Sequence, residues 1–219
     1  DVNCGGGSDP VGACCLGNSC TEVTAADCGN TGGDYQGDDS ACADVNCGGG
    51  DGEFAITHAI IGKNLISDNE FSYTVDIVMS VPEDHRVDAV AGTPEQSKML
   101  TCSGDFYQNA NGGPTSGNIN PSFYEFDADL EWDSRVTIGC IDSTGNPYPE
   151  NNLQNIGIDW SDFENGDDLG ATSNGIWFHL PNDPAGQTVA YTTSDCVQEQ
   201  GVLLARLTVL GQDSEVGFS

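Results

Sequence analysis

Phe71–Val81, FSYTVDIVMSV, decides the fold. Phe71, Tyr73, Val75, Ile77, Met79 and Val81 fall on one side of an extended chain, and Ser72, Thr74, Asp76 and Ser80 mostly fill the other. Alternation with period two is the signature of a strand with one apolar face. Working outward, Phe126, Ala128, Leu130 and Trp132 alternate with Asp127, Asp129, Glu131 and Asp133, which predicts a second strand with an acidic wet face. Val136, Ile138 and Cys140 continue it, and Ile156–Trp160, Gly175–Leu180, Thr188–Thr192 and Val202–Leu210 read as further strands. The segments PED, STGNP, ENGDD and NDPAG separate them as turns. Ala55–Asn64 and Ser97–Cys102 leave strand and helical turn both open. Short strands with polar turns and no long helix predict a mainly β body, an antiparallel β-sandwich or jelly roll, over residues 51–219.

Residues 1–50 are built differently. Of the 45 Leu, Ile, Val and Phe residues, this segment holds only five, so it cannot form an apolar core. It holds instead Cys4, Cys14, Cys15, Cys20, Cys28, Cys42 and Cys47, with eight acidic residues and no Lys or Arg over residues 1–47. The spacings match no zinc pattern, and disulfides are the expected cross-links. DVNCGGG occurs at Asp1–Gly7 and again at Asp44–Gly50, so one complete unit carries six cysteines and Cys47 opens a second. Cys47, Cys102, Cys140 and Cys196 then remain for two more bridges, two of the three body cysteines being expected to staple strands and the third to tie the body to Cys47; the pairings stay open. The vicinal Cys14 and Cys15 are expected to bond different partners. Thr21 or Thr24 is placed to cap a single helical turn through Ala25 and Ala26, with Asp27 in its first turn. Gly48–Gly52 reads as a hinge between a small disulfide-rich head and the body.

The chain carries 35 acidic against 5 basic residues, a formal charge of −30. Such a charge repels a phosphate backbone, so nucleic acid is excluded as a natural partner. No apolar run is long enough to span a bilayer. Asp1-Val2-Asn3-Cys4 is expected to be a mature N-terminus, and the cysteine framework to place the protein outside the cytoplasm, secreted or at the cell surface.

Catalytic patterns are missing from the sequence. There is no G-x-S-x-G and no HExxH, His58, His85 and His179 are far apart, and the glycine-rich runs lack the lysine of a phosphate loop. The chain is therefore expected not to be an enzyme. Calcium is the one ion the composition suggests, since hard cations take carboxylates and carbonyls from Asp- and Gly-rich loops. Asp159, Asp162, Glu164, Asp167 and Asp168 form the densest such loop, with Asp34, Asp38 and Asp39 a second cluster and Asp142, Asn146 and Glu150 a third.

Arg86–Pro94 (RVDAVAGTP), Gly112–Pro121 (GGPTSGNINP), Leu130–Gly139 (LEWDSRVTIG), Asn174–Gly186 (NGIWFHLPNDPAG) and Val202–Gly211 (VLLARLTVLG) resemble segments of a set of secreted bacterial proteins, found for instance in planctomycetes. The GACC and later cysteines of the head are similar to a short cysteine-rich repeat in secreted proteins of the same bacteria. The resemblance implies secretion and a β-rich module, and it carries no activity or site residues.

Two functions fit this reading. The first is a structural subunit of an extracellular filament or surface layer. Its copies would be joined into a helical homopolymer through the head, through strand addition at a sheet edge, or both. The second is a calcium-dependent carbohydrate-binding or adhesive module, with Trp132, Trp160, Trp177, Tyr148 and Tyr191 as the aromatics that would stack on a polysaccharide.

Overall fold

Cross-links replace apolar area in the head. β1 (Val11–Leu16) pairs antiparallel with β2 (Ser19–Thr24), and its other edge takes β3 (Asp34–Tyr35). Between β2 and β3 runs α1 (Ala25–Asn30), whose first-turn amide of Asp27 donates to the Thr24 hydroxyl at 3.1 Å. The Thr31 amide closes the helix on the Asp27 and Cys28 carbonyls. Cys14–Cys28 ties sheet to helix, and Cys20–Cys42 ties β2 to the end of the head. Cys15 is also disulfide-bonded, so the vicinal pair does serve different partners. Among the described residues of this small unit, Ala13, Cys14 and Cys28 are the buried apolar ones. A Cβ on Gly33 would lie 2.3 Å from the Cys14 sulfur, which is why the chain crosses the bridge at a glycine.

The computed structural model describes residues 10–16, 19–31, 33–42, 54–67, 69, 71–82, 84–95, 98–172, 174–192, 194, 198–211 and 214–218. Cys4, Cys47, Cys196, both copies of DVNCGGG and the Gly48–Gly52 hinge lie outside the described residues.

The body strands are β4 (Ala55–Lys63), β5 (Ser72–Ser80), β6 (Ala89–Ala91), β7 (Lys98–Cys102), β8 (Asp105–Phe106), β9 (Arg135–Val136), β10 (Gln154–Ile156), β11 (Leu169–Thr172), β12 (Ile176–Phe178), β13 (Val189–Thr192), β14 (Gln198–Leu210) and β15 (Val216–Phe218). The main sheet runs β13-β14-β5-β4, and β14 also pairs with β9 and β8. Two three-stranded sheets, β10-β12-β6 and β11-β7-β15, complete the sandwich, and every strand pair is antiparallel.

Alternation along β5 works as its sequence requires. Tyr73, Val75, Ile77 and Met79 stand opposite Val209, Leu207, Ala205 and Val202 of β14, and this face packs on Val90, Leu100, Phe106, Leu169 and Trp177 from the smaller sheets. A bulge between Leu203 and Ala205 lets β14 keep its apolar set on that face. The opposite face, with Ser72, Thr74, Asp76, Arg206 and Thr208, is buried as well. There the Thr74 and Thr208 hydroxyls bond each other at 2.8 Å, and the Ser134 hydroxyl donates to the Thr208 carbonyl. Of the two stretches open in sequence, Ala55–Lys63 forms β4 and Lys98–Cys102 forms β7.

Several expectations are corrected: of Ile156–Trp160 only Ile156 lies in a strand, and β9 ends at Val136, short of Ile138 and Cys140. Phe126–Asp133 is not a strand: Asn120 caps a 3₁₀ turn at Pro121–Phe123, and a second turn follows at Ala128–Trp132. The run between Asn120 and Asp133 closes on short backbone bonds such as Phe126 N–H to the Phe123 carbonyl, and it finds no partner strand. Cys102 and Cys140 are free thiols rather than staples. Each meets a carbonyl instead, Gly104 at 3.0 Å for Cys102 and Glu150 at 3.7 Å for Cys140.

Candidate functional site

The acidic loop at 159–168 is organised by an apolar anchor. Phe163 is fully buried against Phe106 and Trp160, at ring separations of 5.3 and 6.2 Å. Around it the carboxylates take separate tasks. Asp159 accepts the amide and hydroxyl of Ser161, which hold its carboxyl below the usual range. Asp168 accepts the Cys102 amide at 2.8 Å. The Asp162 carbonyl, not its carboxylate, takes the Asn165 and Asp167 amides. Glu164 has its carboxyl pushed up to about 7, by partial burial and then by Asp133. Asp159, Asp162, Glu164, Asp167 and Asp168 are thus not gathered about one point, and among the described residues no group of three or more His, Cys, Asp or Glu side chains is placed to hold a metal ion. In the third cluster, Asp142 is committed to the Thr144 amide and hydroxyl.

A cysteine, a histidine and an aspartate come together where no motif announces them. His179 is buried, with Nε2 3.2 Å from the Ile138 carbonyl and Nδ1 3.5 Å from Asp183. The Cys140 thiol feels the charge of Asp183 and Asp142, and burial first of all pushes it up to about 12. Nucleophilic attack needs a thiolate, which this environment disfavours. Burial also holds the His179 imidazole below its ordinary pKa. Asp183 spends its carboxylate on the Ala185 amide and the Asn152 side chain, capping the 3₁₀ turn Pro184–Gly186. Arg86 Nη2 donates to the Asp183 carbonyl. The arrangement braces the 179–186 turn against Ile138. His58 and His85 lie elsewhere, on β4 and edge-on to Phe54.

The densest polar network sits between the polar face of the main sheet and residues 107–135. Asp127, Asp129 and Asp133 of the acidic ladder each find protein donors. Asp127 accepts the side-chain amides of Asn109 and Asn111, which draw its carboxyl down. Asp129 accepts the Ser67 amide and hydroxyl. Asp133 is fully buried and accepts the Asn109 and Gly113 amides at 2.5 and 2.9 Å. Burial still outweighs those bonds and pushes its carboxyl up to about 6. A Cβ on Gly112 would sit 1.9 Å from Asp133 Oδ2, so a glycine is needed for this approach.

Beneath this network the strand register sets Arg135 directly opposite Arg206. Arg206 forks onto Asp76 and lies 6.0 Å from the Trp132 ring. Among the described residues Arg135, 1% exposed, donates only to the carbonyls of Ile141, Glu131 and Asp133. Sequence reasoning missed this pair, because nothing in the spacing of two distant arginines announces a shared row.

The aromatics nominated for sugar stacking face inward or are otherwise engaged. Trp177 is in the core with its indole N–H on the Thr137 carbonyl, Trp160 donates to Asn155, and Tyr148 to the Gln187 carbonyl. Tyr191 bonds Thr57 and Glu199. The exposed rings are Phe54, Phe71, Phe123 and Phe126, the last at 84% exposure. Asn120-Pro121 was the available signal, since that dipeptide marks a turn rather than a strand.

Among the sheet edges, the middle of β4 is covered: the Ser194 amide donates to the His58 carbonyl and the Ser194 hydroxyl accepts the Ile60 amide. β10 is a terminal strand of its sheet, exposed at all three residues, with Ile156 62% exposed. No helix among the described residues is long and apolar enough to cross a membrane. No protein-family model, no curated protein and no solved structure matches the chain.

Proposed function

We propose that the chain is a structural subunit of an extracellular assembly, in which copies join through the open edge of β10 and through the cysteine-rich head. The observation that supports this reading is the β10 edge, a short strand with one partner among the described residues and an exposed isoleucine, in contrast to the β4 edge that Ser194 blocks. Unpaired strand edges template the addition of another strand, and proteins commonly cover those they do not use. The titratable clusters support the same reading, since their side chains are spent on internal bonds. The disulfides fit an oxidising compartment.

Copies that each carry −30 repel one another, so assembly should need screening or bridging cations. Negative-stain electron microscopy of the full chain tests this, in low salt, in 0.5 M sodium chloride and in millimolar calcium with and without EDTA. Regular assemblies that appear on screening and are lost in Ile156→Lys support the proposal. Dispersed particles under every condition, or assemblies indifferent to Ile156→Lys and to Asn155→Pro, refute the β10 joint.

A further inference from the structure

Only five residues of this chain are basic, and the fold sets two of them face to face in the interior. Like charges directly opposite on neighbouring strands destabilise a sheet unless something neutralises them. Asp76 does so for Arg206, taking its Nε and Nη2 at 2.8 Å each. Arg135 feels the charges of Asp76 and Asp133, but among the described residues no carboxylate is hydrogen-bonded to it. Its Nε and Nη1 reach three carbonyls, and its Nη2 is buried with no hydrogen-bond partner among the described residues.

Two of the nearby carboxylates are turned to other duties. Asp133 faces the Asn109 and Gly113 amides, and Asp142 holds Thr144. Glu131 offers Arg135 its carbonyl. A second polar atom completes the corner: the Tyr124 hydroxyl is also buried with no hydrogen-bond partner among the described residues, and its phenol interacts electrostatically with both guanidinium groups. An arginine N–H pair and a phenol O–H are donors that one acceptor can satisfy together. A buried guanidinium left without a counter-charge is costly, which favours an acceptor that carries charge.

We propose that a small monovalent inorganic anion of the halide class is held between Arg135 Nη2 and Tyr124 Oη, on the polar face of the main sheet beside Arg206. Enclosure of both atoms suits a compact ion rather than an organic acid. The ion would neutralise the Arg135–Arg206 row and fix the 120–133 segment over the sheet.

Crystals of the full chain grown in sodium bromide test the site directly by anomalous scattering. In parallel, thermal melts compare sodium chloride with sodium gluconate at matched ionic strength. The expected result is a bromide peak in hydrogen-bonding range of both atoms, with a saturable rise of Tm in chloride that gluconate does not reproduce. Tyr124→Phe, which removes one oxygen and keeps the ring, should raise the half-saturating chloride concentration about tenfold, the scale of one hydrogen bond to a charged group. Arg135→Gln should abolish the chloride response, and if that variant fails to fold, Tyr124→Phe still decides. A water without anomalous signal at this position, or equal melts in the two salts, overturns the proposal.

Discussion

Arg206 and Asp76 face each other across β14 and β5 and share two parallel hydrogen bonds of 2.8 Å, Nε to Oδ1 and Nη2 to Oδ2. Both side chains are largely buried, and the geometry is the bidentate fork that makes arginine–carboxylate pairs strong. The fork also matters for what it restrains, because without Asp76 two guanidinium groups would stand opposite each other unscreened.

Asp76→Asn should therefore cost more than the loss of one ion pair at a surface. Removing one partner of a buried pair typically costs about 3–5 kcal/mol. Chemical denaturation of the variant should show a loss of that order, with an unchanged m-value. Replacing both partners, Asp76→Leu with Arg206→Met, should recover much of it. A loss under about 1 kcal/mol in Asp76→Asn would show that the row is far better solvated than its burial indicates.

Asp133 gives the fold an unusual pH response. Its carboxyl is raised from 3.8 to about 6 by burial, so between those values the folded chain binds more protons than the unfolded one. Stability should then fall as pH rises through this window, by roughly 3 kcal/mol over the full shift. Glu164, raised in the same direction, adds to the trend. His179 opposes it, because an imidazole held below 6.5 resists protonation in the folded state and loses stability on acidification. Urea midpoints from pH 7 to pH 4.5 should rise on acidification for the native chain and become flatter in Asp133→Asn. Equal slopes in the two proteins would refute the assignment to Asp133.

How far the sequence reveals this architecture depends on whether a residue's partner is local. Phe71–Val81 and Val202–Leu210 were legible because alternation depends on the chain alone, and β5 and β14 pair as the heart of the main sheet. The Thr24 cap was legible for the same reason. The acidic ladder failed because alternating acidic and apolar residues also suit consecutive 3₁₀ turns, where Leu130 points inward and the acids cap backbone or neighbouring amides. Arg135 with Arg206 was invisible because their proximity comes from long-range register, and Asp183 acting on Cys140 was invisible because the two come from segments far apart in sequence. In the 159–168 loop the acids are dense in sequence, but among the described residues no three are placed to hold one metal ion, and the buried residue of the loop's 3₁₀ turn is Phe163.

The two free thiols should differ in reactivity. Cys140 is completely buried and its thiol is pushed up to about 12, whereas Cys102 is half-buried on β7, its thiol also raised first by burial. Iodoacetamide at pH 8 without reductant should modify Cys102 slowly and leave Cys140 intact until denaturant is added. Peptide mass spectrometry reads both sites in one digest. Prompt alkylation of Cys140 in the native protein would contradict its burial.

The head offers the sharpest test of cross-links standing in for a core. Gly33 lies over the Cys14–Cys28 bridge, and a methyl group there would come within 2.3 Å of one sulfur and 3.0 Å of the other. Neither atom can yield, since both cysteines are buried and fixed by the bond between them. Gly33→Ala should thus loosen the head by an amount approaching loss of the bridge itself, about 2–5 kcal/mol. Gly29→Ala is the control, because a Cβ there meets nothing within 4 Å. Limited proteolysis of the full chain should cut the Gly33→Ala head much faster than the native one, with the sandwich body unaffected. Equal cleavage rates in the two glycine variants would show that the bridge tolerates the extra carbon and that the head's order comes from elsewhere.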